Sequence, residues 1–205
     1  MPRGFFISLD GLDGCGKSTQ CQLLAKWLHG RGREVAACAD PGGTAVGQVI
    51  RELLLGHRHE MAVACEALLF MASRAQLVAE VFRPALDAGQ VVVSDRFILA
   101  NVVYQGHAGG LDPNKLWEIG RFSCGGIEPD LTIVLDLTVE AALARRQGPP
   151  DRMESKGAVF QTKIREGYLW EARQRPDKIA VVPANQPVED VHRQITQLLE
   201  SRLLR

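Results

Sequence analysis

The sequence predicts an α/β fold, a five-stranded parallel sheet flanked by helices. Three observations carry that expectation. Short apolar runs of strand length alternate with longer stretches of helical periodicity along the whole chain. One of them, Leu131-Thr132-Ile133-Val134-Leu135, is almost wholly apolar, as strands buried on both faces are. Strands that alternate with helices rather than with tight turns pair in parallel, with the helices as crossovers that cover the sheet.

The elements follow in order. Phe5-Phe6-Ile7-Ser8-Leu9 reads as a buried strand that ends in the glycine-rich segment 11–16. A helix comes next, with Leu23, Leu24, Trp27 and Leu28 at helical spacing and Gly30 and Gly32 as stop signals. Residues 34–38 form a second short strand, and 46–55 a helix that Thr44 is placed to cap. From 60 to 88 runs a long helical pattern in which Pro84 marks a kink or break. Val91-Val92-Val93 is a third strand, entered through Gly89 and ending at Ser94-Asp95-Arg96. Residues 113–123 read as a helix and 131–135 as the fourth strand. A helix starts over 140–146 and is interrupted by Gly148-Pro149-Pro150; another, with a charged face, spans 157–173. The last strand is expected at 178–182 and the last helix at 188–204.

A chain of 205 residues is long enough to bury one sizeable core. No linker, repeat or low-complexity tract divides it, so residues 1–205 are expected to form a single domain. Lys plus Arg and Asp plus Glu balance at 24 each, which disfavours stable binding to nucleic acid, since that needs a basic excess. The five cysteines are scattered without a CxxC pair, a pattern that suits reduced thiols. The N-terminal apolar run is too short for a signal peptide, and no stretch approaches the roughly 20 apolar residues of a membrane span. The expected compartment is the cytoplasm, with no membrane partner.

Chemistry is concentrated beyond the carboxyl ends of the strands, where ligands of parallel sheets sit. Gly11-Leu12-Asp13-Gly14-Cys15-Gly16-Lys17-Ser18 fits G-x-x-x-x-G-K-[ST], directly after a strand and opening a helix. Backbone N–H groups of such a loop turn inward around a phosphate, and the helix N-terminus adds partial positive charge. Residues Gly11, Leu12, Asp13, Gly14, Cys15, Gly16, Lys17, Ser18 and Thr19 are therefore expected to hold ATP. Lys17 would reach the β- and γ-phosphates, and the Ser18 hydroxyl would ligate Mg²⁺. The alternative, a glycine-rich turn with a chance Lys-Ser, is disfavoured because six constraints hold together with the right flanks. This places the chain in the three-layer P-loop NTPase fold. A GTPase is disfavoured, because Asn114-Lys115-Leu116-Trp117, the nearest approach to N/T-K-x-D, lacks the Asp.

Asp95 and Arg96 close the third strand beside this loop. Asp95 can hold Mg²⁺ through water, and Arg96 offers a fork to a second anion. In the long helix Phe70 and Arg74 are four apart and share a face. They would suit a pyrimidine base, one by stacking and the other by donating to a ring carbonyl. Periodicity equally allows Phe70, Leu77 and Val81 to form a core stripe.

In these stretches the chain resembles the bacterial thymidylate kinase family, nearly end to end. The resemblance rests on Asp10 to Thr19, Asp40-Pro41-Gly42-Gly43-Thr44, Phe70 with Arg74, Asp95-Arg96-Phe97, Tyr104-Gln105-Gly106 and Asp151-Arg152-Met153-Glu154, in this order and spacing. It implies transfer of the ATP γ-phosphoryl group to dTMP, giving dTDP. It implies thymine stacked on Phe70 with Arg74 at a ring carbonyl, Asn101 and Gln105 along the base, and Tyr104 near the sugar. Arg51 and Arg96 would hold the monophosphate, and Asp13 would lie beside sugar and phosphates. Homodimers are common in the family, and the long helix over 62–81 is a candidate face. Two departures stand out. Asp40 occupies a position where the family usually has Glu, and Ala100 one where Ser is common.

Residues 145–152, Arg145-Arg146-Gln147-Gly148-Pro149-Pro150-Asp151-Arg152, are rich in arginine and helix breakers and suit a lid, about 144–156, that closes over ATP. Phosphoryl transfer needs an arginine at the moving group, and the phosphate loop contains none. The lid is the expected source, Arg152 first, then Arg146 or Arg145. A solvated basic loop is the plain alternative. Another P-loop nucleoside or nucleotide kinase remains open as a second functional reading, and a non-kinase ATP-driven binding factor as a third.

Overall fold

The computed structural model describes residues 4–56, 60–145 and 152–202. The five apolar runs become the strands β1 (Phe5–Gly11), β2 (Val35–Ala39), β3 (Val91–Asp95), β4 (Leu131–Asp136) and β5 (Ile179–Pro183). They form one sheet in the order β2-β3-β1-β4-β5, with every neighbouring pair parallel. The three inner strands are buried nearly throughout, which is why their sequences lack polar alternation. The edge strands β2 and β5 are partly exposed.

The strand order places a topological switch at β1. Its register sets Leu9 opposite Asp95 of β3 on one side and Ile133 of β4 on the other. The connections leaving β1 and β3 therefore open a crevice at the carboxyl edge, where the phosphate loop, the segment from Asp40 and Asp95-Arg96 all fall.

Helices α1 (Lys17–His29), α2 (Ala45–Leu55), α3 (Val63–Leu77), α4 (Arg83–Asp87), α5 (Ile98–Asn101), α6 (Pro113–Ser123), α7 (Val139–Arg145), α8 (Ala158–Gln174) and α9 (Val188–Arg202) flank the sheet. α1 packs on β1, β2 and β3 and against α9. Its Leu24 and Leu28 are fully buried, each worth about 2 kcal/mol of apolar transfer. The rings of Phe6, Phe82 and Phe97 meet at centroid distances of 4.8–5.8 Å and tie β1 to the helical layer. Thr44 caps α2 as expected, its hydroxyl accepting from the Gly47 amide at 2.9 Å.

Two segments differ from the sequence expectation. The helix expected over 60–88 begins only at Val63 and passes through a π-helical stretch, Val78–Phe82, before α4. Pro84 does not end the helical run, because the widened turn before it accommodates the missing N–H and the push of the ring on the carbonyl four residues back. Residues 98–107, for which no element was expected, form α5 and a second π-helical stretch, Val102–His107. They are buried from Ile98 to Gly106, so the sequence carries no polar face and no amphipathic period.

Candidate active site

The phosphate loop departs from β1 at Gly11, whose φ is 136°. A Cβ there would lie 2.6 Å from the Leu135 carbonyl oxygen, and one at Gly14 (φ 88°) 2.5 Å from that of Ala142. Both glycines are demanded by backbone packed against the loop as well as by their left-handed conformation. Lys17, almost fully buried, donates from Nζ to the carbonyls of Leu12 (2.9 Å) and Gly11 (3.3 Å) and lies 3.5 Å from Asp13 Oδ1. Its ammonium thus sits within the loop itself, held by groups that a phosphate can replace. Ser18 Oγ donates to Asp95 Oδ2 at 2.6 Å, which joins the loop to the end of β3. Leu12 and Cys15 belong to the loop through their backbone; their side chains are buried, and Cys15 Sγ lies 4.0 Å from Lys17 Nζ.

Arg96 follows β3 in the left-handed region, φ 74°, which a residue with a Cβ rarely adopts. The turn is held by the Arg96 amide donating to Leu9 O (2.9 Å) and by Ser94 Oγ donating to the Arg96 carbonyl (2.6 Å). It aims the guanidinium at Asp13 Oδ1 (2.5 Å), Tyr104 Oη (3.0 Å) and Tyr168 Oη (3.2 Å). Burial works against its charge, but Asp13 and the two phenols more than offset that, and its pKa lies well above the ordinary arginine value. Tyr168 donates onward to Asp10 Oδ1 at 3.3 Å. Burial pushes the Asp10 carboxyl up to about 6, against the pull of Arg96 and Lys17.

One cleft of about 410 Å³ is lined by both halves of the candidate site. The loop contributes Asp13, Gly14, Gly16, Lys17, Ser18 and Thr19, and the opposite wall Asp40, Arg51, Phe70, Arg74, Asn101, Tyr104 and Gln105, with Asp95 and Arg96 also on its surface. Phe70 is half-buried on this wall and lies outside the apolar core cluster. Arg74 is buried, with Nε on Asp40 Oδ2 (2.6 Å) and Nη1 on Asn101 Oδ1 (3.0 Å). Asp40, short by a methylene, still reaches Arg74, but its Oδ1 is buried with no hydrogen bond among the described residues. Arg51 donates from Nη1 to the Pro41 carbonyl at 2.8 Å, and Ala100 lies on the cleft wall.

The lid arginines are distributed differently. Arg146 lies outside the described residues. Arg145 ends α7 and donates to the Ala184 carbonyl at 2.9 Å, beyond the end of β5. Arg152 donates from Nε to Leu54 O (2.8 Å) and from Nη2 to Glu66 Oε2 (2.5 Å). Glu66 also receives Lys156 at 3.3 Å and Gln105 at 2.7 Å.

Asp10, Glu66 and Tyr168 were not singled out as site residues in the sequence. Glu66 left a signal, being one turn before Phe70 in a mostly apolar helix. Asp10 is the next-to-last residue of β1, and its part in the site is visible only from its burial and its bond with Tyr168. Tyr168 left none, since it reaches the site from a helix more than 150 residues further along.

A phosphate loop at the head of the central strand, sharing a cleft with an arginine- and aromatic-lined wall, defines a P-loop phosphotransferase with room for a second substrate. Comparison with known proteins refines that class. The thymidylate kinase family model matches residues 9–195, and the chain belongs to the thymidylate kinase family. It is 44% identical over 188 residues to thymidylate kinase of Rhodopirellula baltica, covering 92% of this chain and 77% of that one. It is 42% identical over 202 residues to that of Caldanaerobacter subterraneus subsp. tengcongensis, covering 98% and 97%. The crystal structure of thymidylate kinase from Ehrlichia chaffeensis superposes with a TM-score of 0.78 at 26% identity, covering 97% of this chain and 99% of that one.

Proposed function

We propose that this chain transfers the γ-phosphoryl group of ATP to dTMP, giving dTDP and ADP. The observation that carries this reading is the single cleft shared by the phosphate loop and the wall of Phe70, Arg74, Asn101 and Gln105. In the reaction a phosphate oxygen of dTMP attacks the γ-phosphorus and the bond to the β–γ bridging oxygen breaks. The nucleophile is already anionic, so no strong general base is required, and positioning with charge neutralisation carries the step.

In this reading the phosphate loop, Gly11 to Thr19, cradles ATP, and Lys17 exchanges the Leu12 and Gly11 carbonyls for β- and γ-phosphate oxygens. Arg96 and Arg51 hold the monophosphate, with Asp13 keeping the Arg96 fork aligned. Thymine stacks on Phe70, with Arg74, Asn101 and Gln105 along its edge and Tyr104 beside the sugar. A magnesium ion fits the adjacent Ser18 hydroxyl and Asp95 carboxylate, the latter through water, and would neutralise phosphate charge. The lid, about 144–156, excludes water and supplies an arginine to the moving phosphoryl group, with Arg152 first and Arg146 or Arg145 next. For Arg152 this means leaving Glu66, which Lys156 makes feasible because the buried carboxylate keeps one cation. Replacing each arginine by alanine should lower kcat by about 10³ for the one that acts there; unchanged kcat in all three removes the role.

The same reading makes the protein a cytoplasmic homodimer. Val46, Val49 and Leu53 on α2 and Leu68 on α3 are exposed apolar side chains that a second copy could cover, and light scattering reads the mass directly. Among the described residues no helix is long and apolar enough to cross a membrane. The decisive assay is coupled ADP release across dTMP, dUMP, dCMP, dAMP, dGMP and thymidine. Turnover of another acceptor but not dTMP would transfer the assignment to a different nucleoside or nucleotide kinase.

A further inference from the structure

Along the acceptor wall and on to Glu66 runs one continuous row of hydrogen bonds. Arg74 Nη1 donates to Asn101 Oδ1 at 3.0 Å, Asn101 Nδ2 donates to Gln105 Oε1 at 2.9 Å, and Gln105 Nε2 donates to Glu66 Oε1 at 2.7 Å. All four side chains are buried, at 1–2% exposure. A side-chain amide on its own can present either its oxygen or its nitrogen to a neighbour. Here the choice is forced from both ends. A guanidinium only donates and a carboxylate only accepts, so every bond between Arg74 and Glu66 must point the same way. Reversing either amide would set donor against donor or acceptor against acceptor in a buried site, where an unmet polar group is costly.

Glu66 is the end of the row that the substrate wall does not itself explain. It stands one turn before Phe70 on α3, and Arg152 (2.5 Å) and Lys156 (3.3 and 3.4 Å) compensate its charge. Those two cations also tether the C-terminal part of the lid segment ahead of α8 to α3.

We propose that Glu66 is a positioning residue for selection of the acceptor base, locking Gln105 and Asn101 in the orientation that accepts thymine and rejects cytosine. The proposal rests on the thymidylate reading of the cleft. Thymine offers a ring N–H at position 3 beside a carbonyl at position 4, whereas cytosine offers a lone pair beside an amine. An amide held in one orientation discriminates between these inverted patterns; an amide free to turn serves either.

The experiment compares kcat/KM for dTMP and dCMP in the full-length enzyme and its Glu66→Gln variant. A glutamine can turn its carbonyl toward Gln105 or toward Arg152, but not toward both, so its amino group meets a donor on one side, with Lys156 near either position. The variant should lose about tenfold or more in kcat/KM for dTMP, mainly through KM, and the dTMP-to-dCMP ratio should narrow by a similar factor. KM for ATP should stay within about twofold. A merely structural defect lowers the active fraction and scales both acceptors equally, leaving the ratio unmoved. If a thermal melt shows the Gln variant unfolded, Glu66→Asp retains the charge for both cations while drawing back from Gln105, and the same narrowing is expected. A preserved ratio in a folded variant overturns the proposal. A wild-type enzyme that does not prefer dTMP overturns the reading beneath it, a result visible before any variant is made.

Discussion

Ser18 Oγ and Asp95 Oδ2 lie 2.6 Å apart although 77 residues separate them in the chain. The contact follows from sheet register, since Asp95 of β3 stands opposite Leu9 of β1 and the loop after β1 turns back over both strand ends. A hydroxyl and a carboxylate so placed form the oxygen pair that a hard cation between phosphates requires. Ser18→Ala should therefore raise the Mg²⁺ concentration needed for half-maximal rate by about 10–100-fold, the scale seen when a metal's supporting groups are removed. Titrating Mg²⁺ at saturating ATP and dTMP checks this. An unchanged midpoint would exclude Ser18 as a ligand.

Arg96 combines a charge role with a strained backbone, and the two are separable. Arg96→Ala and Arg96→Gly remove the same guanidinium and should abolish acceptor binding alike. Only the glycine variant relieves the left-handed conformation at φ 74°. Relief is worth about 1–2 kcal/mol, and the extra freedom of an unfolded glycine takes back about 0.4–1. Urea unfolding should thus find the Gly variant more stable than the Ala variant by roughly 0.5–1 kcal/mol. Equal stability would mean the turn stores no strain.

The phosphate loop was legible because it is local: glycines, lysine and serine stand within eight residues, and an apolar strand precedes them. The sheet was legible because its strands are apolar enough to stand out from helical periodicity. What escaped depends on long-range geometry. Arg96's left-handed turn leaves no compositional trace, since any residue other than glycine looks unsuited to it. Tyr168 approaches Arg96 from α8, and no spacing rule links the two. The 98–107 segment is buried from Ile98 to Gly106, with even its polar side chains turned inward, so the solvent-facing polar stripe that betrays a helix is missing. Phe70 was ambiguous for the opposite reason: a helix periodic enough to pack can turn the same residue toward core or cleft, and only the neighbouring elements decide.

Asp10 gives the site a pH signature. Its carboxyl is pushed up to about 6 by burial from an ordinary value of 3.8, so the folded chain holds this proton more tightly than the unfolded chain does. The stability it contributes is complete below about pH 4, falls as pH rises toward 6, and is absent above that. Asp10→Asn removes this titration. Wild-type stability should therefore decline relative to the variant by about 2 kcal/mol between pH 4 and pH 7. Urea midpoints for both proteins across that range test the sign. Parallel curves would mean Asp10 is ionised alike in folded and unfolded chains.

Phe70 separates binding from folding. Its ring is half-buried on the cleft wall, whereas Met71 beside it is buried at 2% exposure. A stacked base is worth about 1–3 kcal/mol per aromatic ring, while emptying a core position costs about 2–5 kcal/mol of stability. Phe70→Ala should thus reduce kcat/KM for dTMP by roughly 10–100-fold while leaving KM for ATP nearly unchanged. Met71→Ala should lower the melting temperature far more than Phe70→Ala does. If the order were reversed, so that Phe70→Ala unfolded the chain more readily and still bound dTMP normally, the ring would belong to the core and the cleft would have no stacking surface on α3.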